Sequence, residues 1–288
     1  MPSDAIRDWL ADQVRSRVVG TAAPERAAEL FDAPGERWFV LGTPICRVHA
    51  DASMFIGGLR ALLLQSLHPL AMAGIAQHSD YRHDPWGRLQ RTADFIAATT
   101  FGPAPEAERA VGIVRRVHGH VHGVAPDGRT YSALDPHLLR WVHLAEIDSF
   151  LAAHTHYGNH PLEGSDRDEY VAQTAVVARK LGVPAPPESE RALRDQLNSY
   201  RPELKGTREA REVAQYLLVQ PPMPLAARPA YLLLGAAAVA LLPRWARAPL
   251  RLPYLPIAER VALRPAGDVV TRTLRWALAR RPTVAAPD

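Results

Sequence analysis

Two short stretches of this 288-residue chain carry side chains that can do chemistry together. Arg88 and Thr92 stand four residues apart, a spacing that puts them on one face of a helix with Arg91 beside them. After a break at Gly102 and Pro103 comes the run His118-Gly-His120-Val-His122. A guanidinium offers a charged fork to a carboxylate or phosphate, and a hydroxyl adds one more hydrogen bond. One good imidazole in an apolar slot can hold a haem iron. A basic helix and a histidine helix joined by a turn can therefore clamp a flat anionic cofactor, with His118 on the metal. A second chemistry starts from His118 and His122 as ligands of a non-haem metal, which needs a third convergent donor. Gly123 and Val124 follow where such sites want an acid, and His83, Asp84 or His143 would have to be recruited. If this run is helical, His118 and His122 share a face and His120 points away. The residues alone leave these readings open, together with a non-catalytic haem- or lipid-binding protein and an ordinary solvated helix face.

Other candidates have plainer readings beside the functional ones. His78 ends an apolar stretch and is either a proton-handling group or a cap on its own helix. His68 precedes Pro69 and can bond a carbonyl freed by the break. His143 and Glu146, three apart, read as a paired polar contact in the core. Trp86 and Trp141 read as core. The glycine pair Gly57-Gly58 costs about 1 kcal/mol per glycine against alanine inside a helix, which points to close approach by a neighbouring backbone or a flat ligand.

The elements that must position these groups are helical. Apolar residues recur at helical spacing from Ser3 to Val19, Pro24 to Phe31, Ser53 to Leu67, Leu70 to His78, the Arg88 helix to Thr100, and Pro105 to Val124. They continue from Asp135 through the His143 helix, Ser165 to Leu181, Glu188 to Tyr200, Thr207 to Val219, Leu225 to Leu242 and Asp268 to Arg281. Arg37 to Leu41 is apolar and reads as extended. Asp84-Pro85 and Asp135-Pro136 read as N-caps with proline at the first helical position. No alternating period-two pattern and no internal repeat is present. The expected architecture is all-α, a single multi-helix bundle over 1–288 with its core at 50–200 and a C-terminal helical segment at 225–281.

Composition narrows the classes. The net charge is +4, almost all of the cationic side is arginine, and the pI is about 9.4. No lysine-rich tract interleaved with aromatics supports nucleic-acid binding. Cys46 is the single cysteine, which excludes an internal disulfide and a cysteine-based zinc or iron–sulfur site. One cysteine and an acidic, weakly apolar N-terminus fit the cytoplasm. The apolar run Ala230 to Leu242 falls short of the ~20 residues that span a bilayer, leaving a buried helix or peripheral membrane contact.

Several strings taken together carry a resemblance. FIGGLRALLLQSLHPLAMAGIAQHS, DPWGRLQRT, VRRVHGHVHG and DGRTYSALDPHLLRWVH resemble the MpaB-type and rubber-oxygenase family, which includes the latex-clearing proteins, and the resemblance is dense from about Phe55 to Tyr170. The LLP-x-W-x-R run at Leu241 to Arg247 resembles the family's tail. The resemblance implies an all-helical fold around a b-type haem and an oxygenase that uses dioxygen on a hydrophobic, isoprenoid alkene. It implies haem-binding roles for Arg88 and Thr92, and an axial iron ligand at His118, set in His118-x-x-Val121-x-Gly123. Where latex-clearing proteins have a lysine before the threonine, this chain has Arg91. They also carry a distal glutamate, yet no acid lies between Ala61 and Ser79 here. His78 is the nearest titratable replacement, so His78 and Arg91 are the expected catalytic-side groups.

Overall fold

The structure is a computed structural model and describes residues 7, 11–12, 30, 33–79, 82–220 and 223–279. The expected N-terminal helices and the tail after Pro282 lie almost wholly outside these residues. The order is α1 Pro44–His49, α2 Met54–Gln65, α3 Pro69–His78, α4 Pro85–Phe101 and α5 Ala104–Gly119. Then come β1 His122–Val124, β2 Thr130–Ser132, α6 Pro136–Tyr157, α7 Ser165–Leu181 and α8 Glu190–Ser199. A 3-10 turn Arg201–Glu203, α9 Arg208–Val219, α10 Arg228–Leu241 and α11 Arg244–Arg247 follow. The last element passes from Pro256–Ala258 through a π-helical turn Glu259–Leu263 into α12 Arg264–Leu278.

The centre is the α2–α6 pair. Early α2 meets late α6 and late α2 meets early α6, so the two run antiparallel. Gly57 is where they approach most closely: a Cβ there would lie 3.0 Å from Phe150 Cδ1 and 3.2 Å from its Cα. The Gly57 cost therefore serves helix packing. Nothing lies within 4 Å of a Cβ at Gly58. At the other end, the Trp141 indole donates to Gln65 O at 3.1 Å, and Gln65 donates to Val142 O at 3.2 Å. Trp141, Leu63, Leu64, Leu67, Leu144 and Tyr170 are fully buried around this seam. α10 and α12 add a second apolar cluster, in which Leu234, Ala237, Ala238 and Val270 meet Ile56, Ala153 and Tyr157.

Pro69 has no N–H and forces His68 to an extended ψ of 115°, so α3 leaves α2 at 107°. No single described helix is long and apolar enough to cross a membrane; only the bent α2–α3 pair together has that length and composition. Asp84 caps α4 by accepting from Gly87 N at 2.9 Å, and Asp135 caps α6 by accepting from His137 N at 2.9 Å, both as expected. α7 ends at Gly182, whose φ of 103° is the left-handed cap position that favours glycine.

Two expectations need correction. The helix drawn from Pro105 to Val124 stops at Gly119, with His120 as its C-cap, and His122 belongs to a β-hairpin. Gly119 weakens the last turn, and Asp127-Gly128, with Gly128 at φ 84°, supplies the reversal that lets 122–124 pair with 130–132. Segments this short carry too little alternation to read as strands. Arg37 to Leu41 forms no strand; only an isolated bridge joins Arg37 to Pro103.

Candidate active site

α4 and α5 form a hairpin joined through Gly102 and Pro103 and packed against each other. Arg88 lies 13 residues before the end of α4 and His118 lies 14 residues after the start of α5. At 1.5 Å per residue both sit about 20 Å from the connection, so they share its open end. Along α5, His118 follows Val111 and Val114 at helical spacing, on the side that turns inward from the exposed Ile113 and Val117.

His118 is half-buried, and its Nδ1 is buried without a hydrogen-bond partner. Burial pushes its imidazole below the ordinary histidine range. Arg88 donates from Nη1 to Ser79 Oγ at 2.9 Å, tying the start of α4 to the residue after α3. Arg91 is exposed and pairs with Asp84 at 3.3 Å. Thr92 is exposed, and its hydroxyl donates to Arg88 O at 3.1 Å. His78 closes α3, with Nε2 at 3.1 Å from both His122 O and Tyr131 Oη. Tyr131 is buried and donates to Gln77 Oε1 at 2.6 Å, while Gln77 donates to Val124 O at 2.9 Å. A Cβ at Gly123 would sit 2.8 Å from Tyr131 Oη and 3.1 Å from Gln77 Oε1, so a side chain here would displace that bonded pair. The end of α3, the start of α4 and the hairpin after α5 thus meet at one end of the bundle.

The remaining candidates separate. His120 holds Arg116 O through Nδ1 at 2.9 Å. His122 is exposed on β1, and no third metal-ligating residue converges on it and His118 among the described residues. His143 and Glu146 are half-buried but not hydrogen-bonded as the expected pair: His143 Nε2 has no partner. Burial drives His143 down to about 4 and Glu146 up to about 7. Trp141 is in the core, whereas Trp86 is only partly buried. Arg60, left open by its sequence, is buried; it pairs with Asp148 at 2.7 Å and donates to Ser149 Oγ at 2.6 Å.

Sequence reasoning missed one cluster outright. His68, His137 and Glu203 bring three potential ligand atoms within 4.8 Å of one another. Nothing local signals this, since the hinge, the first turn of α6 and a 3-10 turn are far apart in the chain. A cleft of about 220 Å³ lined by Arg82, Glu212, Gln215, Tyr216 and Gln220 lies beside α9, and none of the predicted site residues forms its walls.

The donor chemistry at the α4–α5 end suits a haem. One buried ring nitrogen lacks a partner, and cationic and hydroxyl donors occupy the neighbouring helix. These donors have partners of their own. An exposed pair such as Arg91–Asp84 is worth about 0–1 kcal/mol and is readily exchanged for an incoming carboxylate.

A predominantly helical protein with a histidine-bearing helical hairpin is thus the class that fold and site define. Residues 46–277 match the family described as ER-bound oxygenase mpaB/B'/Rubber oxygenase, catalytic domain. The chain belongs to that family of oxygenase catalytic domains, which places it among oxidoreductases. No curated protein and no solved structure matches the chain.

Proposed function

We propose that this chain is a haem b-dependent oxygenase that uses dioxygen on a hydrophobic alkene of the isoprenoid class. His118 is assigned to the iron, and Arg88, Arg91 and Thr92 to the carboxylates of the haem. The observation that carries this reading is the buried, unpartnered ring nitrogen of His118 at the open end of the α4–α5 hairpin. Bound haem would supply dioxygen activation and the redox equivalents, as cofactors do.

The protein's part follows from its own groups. Burial keeps the His118 ring neutral near pH 7, the state that has a lone pair to give. Arg88 and Arg91 offset anionic charge, and Thr92 adds a hydroxyl once it releases the Arg88 carbonyl. His78 is assigned to proton handling in the absence of an acid between Ala61 and Ser79. Its Nε2 is already committed to His122 O and Tyr131 Oη, so its ring orientation is fixed by the hairpin.

Reconstitution with haemin tests the assignment. An intense Soret band with about one haem per chain is expected, and His118→Ala should shift or abolish it while leaving the melting temperature close to the parent's. A band unchanged in that variant removes His118 from the iron. Oxygen consumption in a single turnover with an isoprenoid then separates an enzyme from a passive haem carrier.

A further inference from the structure

The cluster at the α2–α3 hinge is built around Glu203. Its carboxylate lies 2.9 and 3.1 Å from His137 Nε2 and 3.4 Å from His68 Nε2. Zinc bonded at about 2.0–2.1 Å in a tetrahedral shell sets its ligand atoms about 3.3 Å apart; the carboxylate–imidazole separations are close to that, and all three ligand atoms lie within 4.8 Å of one another. The backbone already holds the three ligands together. Lys205 N donates to Leu67 O at 2.8 Å, pinning the Glu203 turn to the hinge. His68 is the N-cap residue of α3, and His137 stands in the Asp135-capped first turn of α6.

The groups around His137 and His68 fit a bound cation. The Tyr200 hydroxyl donates to His137 O at 2.9 Å and lies 3.3 Å from His137 Nδ1, so it supports the ring from the side away from Glu203, an arrangement common behind metal-bound imidazoles. His137 Nε2 then faces both carboxylate oxygens within hydrogen-bond distance. His68 is 1% exposed, its Nδ1 has no partner, and its ring lies against Trp141 and Tyr200. A ring N–H satisfies one imidazole–carboxylate contact at a time; a metal ion draws on all three donors at once.

We propose that His68, His137 and Glu203 form a site for a divalent first-row transition metal. Two imidazoles and one carboxylate with open positions is a ligand set used by both zinc hydrolases and non-haem ferrous oxygenases. The side chains of His137 and Glu203 are 46% and 39% exposed, so an ion can enter from solvent and water can complete its shell. Arg129, bonded to Asp127 on the neighbouring turn, adds positive charge nearby and makes the site weaker than the ligand set alone would be. The site is separate from the His118 assignment and stands or falls without it.

Chelator-treated full-length protein is titrated with Zn²⁺, and separately with Fe²⁺ under anaerobic conditions, by calorimetry and by elemental analysis after desalting. About one equivalent of one or both metals should be retained. His137→Ala and Glu203→Gln, which spare the buried His68, should each weaken binding at least about a hundredfold. Their melting temperatures in chelator should match the parent's, and only the parent's should rise when metal is added. His118→Ala should bind as the parent does. The proposal is overturned if the parent retains no metal, if both ligand variants retain it as tightly as the parent, or if His118→Ala is the change that removes it. The Zn²⁺ arm is independent of any haem iron.

Discussion

Arg60 in α2 and Arg91 in α4 each hold an aspartate, yet in opposite settings. The Arg60 and Asp148 side chains are 4% and 26% exposed, whereas those of Arg91 and Asp84 are 70% and 53% exposed. Arg60 also donates to Ser149 Oγ and Leu241 O, so its partners come from α6 and from the end of α10. Its contact with Asp148 is a close ion pair rather than an aligned hydrogen bond, since Asp148 Oδ2 gains no bond of good geometry. The α2–α6 seam uses charge as fixed structure. The start of α4 keeps Arg91 on an exchangeable surface bond. A pair of the second kind can be given up to an incoming anion at little cost, whereas a desolvated pair cannot.

Substitutions can break that contrast. Arg60→Ala should have the largest effect, about 3–5 kcal/mol lost in urea unfolding, because it strands a partly buried carboxylate. A loss under about 1 kcal/mol would mean that the seam does not depend on this charge. Glu146→Gln tests burial in the same helix. Glu146 is raised to about 7 when folded and ionises near its ordinary 4.5 when unfolded. Its contribution is therefore present at low pH and lost as pH climbs from about 4.5 through 7. The glutamine variant should be more stable than the parent at neutral pH, with the advantage fading towards pH 4.5; pH-resolved melting measures it.

Gly57→Ala should follow with a loss of about 1–3 kcal/mol, since its Cβ would press on the Phe150 backbone. Gly58→Ala, with open space around it, should instead gain about 0.5–1 kcal/mol from helix propensity. Equal signs for the two glycines would contradict the packing described. Smallest in stability is Arg91→Ala, within about 0.5 kcal/mol, as an exposed pair allows. Its cost should fall on haem affinity, measured by titration of the apoprotein. If stability drops and haem affinity does not, the division between seam and hairpin fails.

Much of the helical frame was legible because local chemistry announces it. Asp84 and Asp135 read as caps and His68-Pro69 as a break, and each is so. Gly57 was legible as a close approach, but its neighbour could not be read from sequence. The strands of the β-hairpin were not legible, because three-residue strands carry no periodicity. The partners of Arg60 and the meeting of His68, His137 and Glu203 were not legible either. Contacts across 66 and 135 residues arise from how α3, α6 and the Glu203 turn pack, and no spacing encodes them.

The pairing of Gly123 with Tyr131 has a consequence for how this chain tolerates changes of length. Moving the register by one residue would turn the phenol to the opposite side of the ribbon and take it off Gln77 and His78. Extra residues placed in the reversal around Asp127 would leave that engagement alone. Extra residues between Gly119 and Gly123 would not, because that stretch gauges how far the ribbon stands from the last turn of α5. Evolution or engineering can lengthen one side of this ribbon freely, while the other side has a single admissible length.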